Sequence, residues 1–123
     1  MVRPRSQQLA PDIEGSIQTV GAVTSTIASY ILSSNTTVSI SVTVTARKND
    51  GTQAAGYSIF GVFRRGAVVI TQIGGTAILS QQEDDATWNV DIGITGSSIN
   101  IRGTGAAGDI IDWNVIGSVV LHS

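Results

Sequence analysis

This sequence predicts an all-β domain, an antiparallel β-sandwich of jelly-roll-like type with about eight short strands. Three observations predict it. Val, Ile and Thr make up 42 of the 123 residues, whereas Leu occurs four times; β-branched side chains are stiff at χ1 and suit a pleated surface, while Leu is the commoner choice for helices. Fourteen glycines supply turns. Apolar residues recur with period two in segment after segment, separated by turn signals at regular spacing.

The elements follow in chain order. Residues 1–16 carry both prolines, Pro4 and Pro11, with little periodicity, and are read as an extended N-terminal arm. Arg3 and Arg5, with Pro4 and Pro11, are its candidate partner-binding residues. Residues 17–123 form the single sandwich domain. "SIQTVGAV" (16–23) alternates weakly as a first strand. "TIASYILSSN" (26–35) fits helix or strand spacing, and the β-rich surroundings favour a strand. In "TVSISVTVTA" Val38, Ile40, Val42, Val44 and Ala46 fall on one face and Ser39, Ser41, Thr43 and Thr45 on the other. "NDG" (49–51) has the chemistry of a tight hairpin. The return strand puts Tyr57, Ile59, Gly61 and Phe63 on one face and Ser58, Phe60 and Val62 on the other, and "RRG" (64–66) turns the chain again.

"AVVITQIGG" (67–75) and "TAILSQ" (76–81) read as two further strands broken by a glycine pair. "QEDDAT" (82–87) is an acidic turn. "TWNVDIGI" (87–94) places Trp88, Val90, Ile92 and Ile94 inward. "TGSS" (95–98) turns, and "INIR" (99–102) is the penultimate strand. In the last, "DIIDWNVIGSVVLHS" (109–123), Trp113, Val115, Val119 and Leu121 share a face, with Gly117 between them.

Composition narrows the function. Seven basic and nine acidic residues give a net charge of −2, which lacks the clustered positive surface that nucleic-acid binding needs. Charged residues are 13% of the chain, a low share for a free-standing protein and one suited to burial in an assembly. Without cysteine, disulfides, thiolate zinc sites and a cysteine nucleophile are excluded. No apolar run is long enough to span a membrane, and the N-terminal segment lacks the apolar core of a secretory signal. "NTT" (35–37) matches a glycosylation sequon and is read as a turn.

The most conspicuous motif is "GTGAAG", a G-x-G-x-x-G formed by Gly103, Gly105 and Gly108. A dinucleotide loop needs a helix after it, with the pyrophosphate on the helix N-terminus, and an acidic residue about 20 positions on. Here a strand pattern follows and the sequence ends 15 residues later, so the glycines are read as a hairpin loop and no cofactor is expected. His122, the single histidine, lies next to the last residue, and no G-x-S-x-G elbow occurs. Glu83, Asp84 and Asp85 lack the alternating spacing of a calcium loop and are read as a solvated turn, so no metal is expected. Asp109 and Asp112 fall on different faces, which excludes paired acid–base chemistry. Arg47 with Lys48 and Arg64 with Arg65 are hairpin-end charges. Trp88 and Trp113 alternate in phase with Val and Ile, which makes them core residues rather than a sugar-stacking platform; Tyr30 and Tyr57 are the other large amphipathic aromatics. No catalytic residue is assigned and no enzymatic activity is expected.

Four stretches in order, "VTVTARKNDGTQAAGYSIFGVFRRG", "QIGGT", "EDDATWNVDI" and "GTGAAGDIIDWNV", carry a resemblance. The region from about Val38 to Val120 resembles a domain recurrent in the fibre, head-fibre and capsid-decorating proteins of tailed bacteriophages. The resemblance implies a non-enzymatic β domain, usually a homotrimer, built into a virion assembled in the host cytoplasm. Its partners would be copies of itself and the major capsid protein or another virion protein, with neither nucleic acid nor membrane. Together with the low charge and the arm, it leads to the expectation of a trimeric cement or decoration protein that stabilises the head shell. The alternative is a tail-fibre or spike module that binds a host surface glycan.

Overall fold

The computed structural model describes residues 12–123. Its strands are β1 (Ile13–Val20), β2 (Thr24–Ile31), β3 (Thr36–Lys48), β4 (Ala54–Arg65), β5 (Ile70–Glu83), β6 (Asn89–Thr95), β7 (Ser98–Thr104) and β8 (Ile110–His122). A five-stranded sheet has the order β1-β8-β3-β4-β5, and a three-stranded sheet has the order β2-β7-β6. Every pairing is antiparallel. The expected all-β sandwich is therefore present, and no helix occurs among the described residues.

The alternation in the sequence sets which side chains meet. Val38, Ile40, Val42, Val44 and Ala46 of β3 are buried, with Tyr57, Ile59 and Phe63 of β4 beside them on the same face. Opposite them the smaller sheet contributes Ile27, Ala28, Val90, Ile92, Ile99 and Ile101. Each fully buried Val, Ile or Phe contributes about 1.5–3 kcal/mol of transfer free energy, so this one interlayer core holds the fold. Trp88 and Trp113 are each 1% exposed, their ring centroids 6.3 Å apart and their planes tilted by 54°. Their assignment to the core is correct.

Several expectations are corrected. The first strand starts at Ile13, within the stretch assigned to the arm, because residues 13–20 pair with β8 from Gly117 back to Ile110. The two strands expected around Gly74 and Gly75 are one strand, β5, which stays paired to β4 and absorbs the glycines as an irregularity between the Phe60 and Val62 registers; Gly74 takes a φ of 71° there. Ile94 and Leu121 have the phase of core residues but lie at strand ends that the opposite sheet does not cover, and both are exposed. Residues 26–35 do contain a strand, and Asn35 occupies the turn after it, with a φ of 57°. Arg3, Pro4, Arg5 and Pro11 lie outside the described residues.

The unequal strand count has a consequence. Ile59 and Ile78 are register partners on β4 and β5, so their side chains share a face. Ile59 is 1% exposed and Ile78 54%. The smaller sheet therefore ends over β4 and leaves β5 overhanging.

Candidate functional site

The glycines of "GTGAAG" have separate tasks. Gly103, next to last in β7, lies under the Trp113 indole, where an added Cβ would lie 2.8 Å from the ring. Gly105 lies close to the Gly21 carbonyl oxygen, 2.8 Å from where its Cβ would be. Gly108 has a φ of 81°, the left-handed turn that leads into β8. No helix follows to hold a phosphate, and the expected hairpin is corrected: the loop crosses from β7 in the smaller sheet to β8 in the larger one, which do not pair.

The carboxylates beside these turns are occupied by the fold. Asp109 accepts a hydrogen bond from Trp88 Nε1 at 3.0 Å and lies 3.5 Å from Lys48 Nζ. Asp112 is three residues along on the outer face of β8, where Gln18 Nε2 donates to it at 2.9 Å. The two are held by different partners, as their phase implies. Glu83 accepts from the Tyr57 hydroxyl at 2.6 Å and from Gln81 Nε2 at 2.7 Å. Asp84 accepts from the Ala54 amide at 2.9 Å. Asp85 accepts from the Thr87 amide and hydroxyl at 2.9 and 2.6 Å. The acidic turn thus closes the end of the β4–β5 hairpin and the entry to β6. Among the described residues no group of three or more His, Asp or Glu is arranged to hold a metal ion.

These bonds set the ionisation of the groups involved. Thr87 donors hold Asp85 below the ordinary carboxylate range, and Thr52 donors do the same for Asp50 in the "NDG" turn. Burial pushes the Tyr57 phenol up, and the Glu83 carboxylate that accepts its hydrogen bond adds to the shift. His122 closes β8 opposite Thr37 and is exposed. Arg65 is a structural staple: its Nη1 donates to the Leu32 carbonyl at 2.6 Å and its Nε to the Val68 carbonyl at 3.1 Å. Arg64 lies opposite Thr71, exposed on the outer face.

A depression with a volume of about 740 Å³ lies on the outer face of the five-stranded sheet. Its shape follows from three neighbouring cross-strand rows. In the middle row, Ile17, Trp113, Ala46 and Ala55 are register neighbours. Their side chains point into the core, so on the outer face their backbone forms a floor. One wall is Ser16, Asn114 and Thr45, with Ser16 Oγ bonded to Asn114 at 2.9 Å. The other is Gln18, Asp112, Arg47 and Ala54. The result is a shallow groove running across four strands, of the size that ligand sites have, with polar groups on both sides and no aromatic ring exposed along it.

Sequence reasoning missed Ser16, Gln18 and Asn114 as one surface. Their phase is legible, but the pairing of β1 with β8 that brings them together spans most of the chain. It also missed the Asp91–Arg102 pair, a two-pronged contact with both bonds at 2.8 Å. That pair was readable in principle, because "TG" at 95–96 sets the hairpin register that places the two residues opposite each other.

What these elements define is an antiparallel sandwich of five and three strands, with a polar groove on one outer face and an uncovered strand at one edge. No family model matches the chain, and no curated protein matches it. Among solved structures, it is similar to the tailspike protein of Acinetobacter baumannii phage AM24, with a TM-score of 0.44 and 8% identity. That alignment covers 85% of this chain and 25% of the tailspike chain, so the chain spans about a quarter of that protein's length.

Proposed function

We propose that the protein is a non-enzymatic structural protein of a phage virion, a trimeric cement or decoration protein that binds the head shell and stabilises it. One observation carries this: the small domain leaves many large apolar side chains outside its core. Val20, Val68, Val69, Leu79 and Val120 are each at least 65% exposed. Isolated apolar residues on a surface need no explanation, but clusters of them mark surfaces that a partner covers. The low charge and the ordered resemblance to phage structural domains support the same assignment. Its mechanism is mechanical: surface buried between copies and against the shell adds binding free energy that opposes expansion of the head.

Mass spectrometry and cryo-EM of purified virions test this. Hundreds of copies arranged on the shell are expected, and a few copies or none would overturn the assignment.

A tail-fibre module binding a host glycan is the second reading. The transverse groove favours it, since Gln18, Asp112, Asn114 and Arg47 are planar hydrogen-bonding groups suited to an extended polyhydroxylated chain. The burial of Trp88 and Trp113 counts against it, because neither ring can stack on a sugar. Binding on a glycan array that is lost in Asn114→Ala would favour this reading over the first.

A further inference from the structure

The overhanging strand β5 carries the second surface. Residues 66–82 contain no charged side chain. Within and beside this run Val68, Val69, Ile73, Ile78, Leu79 and Ile94 are exposed by 71, 69, 46, 54, 67 and 39%. Val68, Val69 and Ile94 line one depression with Ile70. Ile73 and Ile78 lie opposite Val62 and Ile59, on the two faces of the same edge strand. Native edge strands are usually guarded by Lys, Pro or short length. β5 has 14 residues and neither guard. Its register breaks do interrupt the free hydrogen-bonding edge, which disfavours open-ended strand addition and leaves side chains to make the contact.

The ends of this flank differ in sign. Arg64 and Arg65 lie where β5 begins, opposite Thr71 and Ile70, and Glu83, Asp84 and Asp85 lie where it ends. The geometry points to a second copy of this chain as the occupant, its β5 flank antiparallel to the first. A twofold axis then sets the basic end of each copy against the acidic end of the other, with Ile73, Ile78 and Leu79 between them. The same patch serves both copies, as an isologous contact requires. A partner with a charged surface would have those charges stripped of water with nothing opposite them.

This contact goes beyond the trimer named above, since a twofold contact closes with two copies and a threefold one with three. Light scattering and analytical ultracentrifugation of the purified chain test it. An even-numbered assembly is expected, a hexamer where the proposed trimer also forms. Leu79→Glu places a charge on an already exposed position and is expected to weaken association by about tenfold or more. Ile73→Lys, at the exposed position opposite Val62, provides a second variant, and circular dichroism verifies that both fold. Ser41→Glu, central on the outer face of the larger sheet, leaves the assembly unchanged. Arg64→Glu weakens association, and adding Asp84→Lys to it restores part of the loss.

A monomer at submillimolar concentration overturns the twofold contact. So does a trimer whose mass neither β5 variant changes, which would leave the virion assignment intact. Hundreds of shell-bound copies with no β5 contact between them would separate the two in the same way.

Discussion

At the scale of single residues, the Trp113 site shows how tightly this core is specified. The indole lies over Gly103, and its Nε1 donates to Thr19 Oγ1 at 2.8 Å; Thr19 is the one buried polar residue among those described. A buried indole N–H left without a partner costs about 1–3 kcal/mol, so an acceptor is required there, and Thr19 at 3% exposure supplies it. Gly103→Ala is expected to destabilise the domain by about 1–3 kcal/mol through overpacking against that ring. Gly56→Ala meets nothing within 4 Å and is expected to stay within about 0.5 kcal/mol of the parent. Urea unfolding of the two variants checks the contrast, and equal midpoints would show that the ring moves aside freely. That Trp113 belongs to the core was legible from its phase. That Thr19 and Gly103 are its neighbours was not, because both contacts join strands distant in sequence.

At the scale of elements, period-two patterning located most strands, and turn chemistry located most boundaries. The exceptions share a cause. The glycine pair of β5 reads locally as a break, yet Gly74 and Gly75 are carried by β4, whose register resumes on both sides of them. The start of β1 was hidden because Ile13–Gly15 precede any clear alternation and are fixed by pairing with β8. Hairpin pairs such as Asp91 and Arg102 are more local. Their side chains are 43 and 38% exposed, so solvent screens the attraction despite its good geometry. Arg102→Ala is expected to cost under about 1 kcal/mol, and the cost shrinks further at high salt. Thermal melts at two ionic strengths measure this, and a large salt-independent loss would instead implicate packing of the arginine over Gly93.

For the whole molecule, the shifted groups bound stability on both sides of neutrality. Asp50 and Asp85 have folded-state values below the ordinary 3.8. Their contribution is present above that value and is lost as pH falls through the folded values. Asp50 is exposed and Asp85 partly so, and solvent screening keeps the loss shallow. Tyr57 is raised above the ordinary 10.0. Its contribution is present below pH 10.0 and is lost as pH rises toward the shifted value. Denaturation midpoints are therefore expected to form a plateau through neutral pH, with a decline below about pH 4 and a second one above about pH 10. Tyr57→Phe is expected to flatten the alkaline arm alone. The candidate surfaces belong to this scale too. The groove and the β5 flank were each built from residues whose exposure could be guessed in the sequence, but their grouping depends on the strand order of the larger sheet.

The place of β8 in that sheet also governs how the chain acquires its structure. β8 is the last strand in sequence, yet it lies between β1 and β3, with Gly117 paired to Ile13 and Val42. Neighbouring hairpins such as β3–β4 and β6–β7 can close early. The five-stranded sheet cannot close until the final strand inserts between two that are already waiting. Closure over such separations is slow, in the range of milliseconds to seconds for β topologies. Until then β1 and β3 present open edges to the solution. The order of events in time is thus set by the same crossover that builds the outer groove, and the nascent chain is most exposed to association with its neighbours just before β8 arrives.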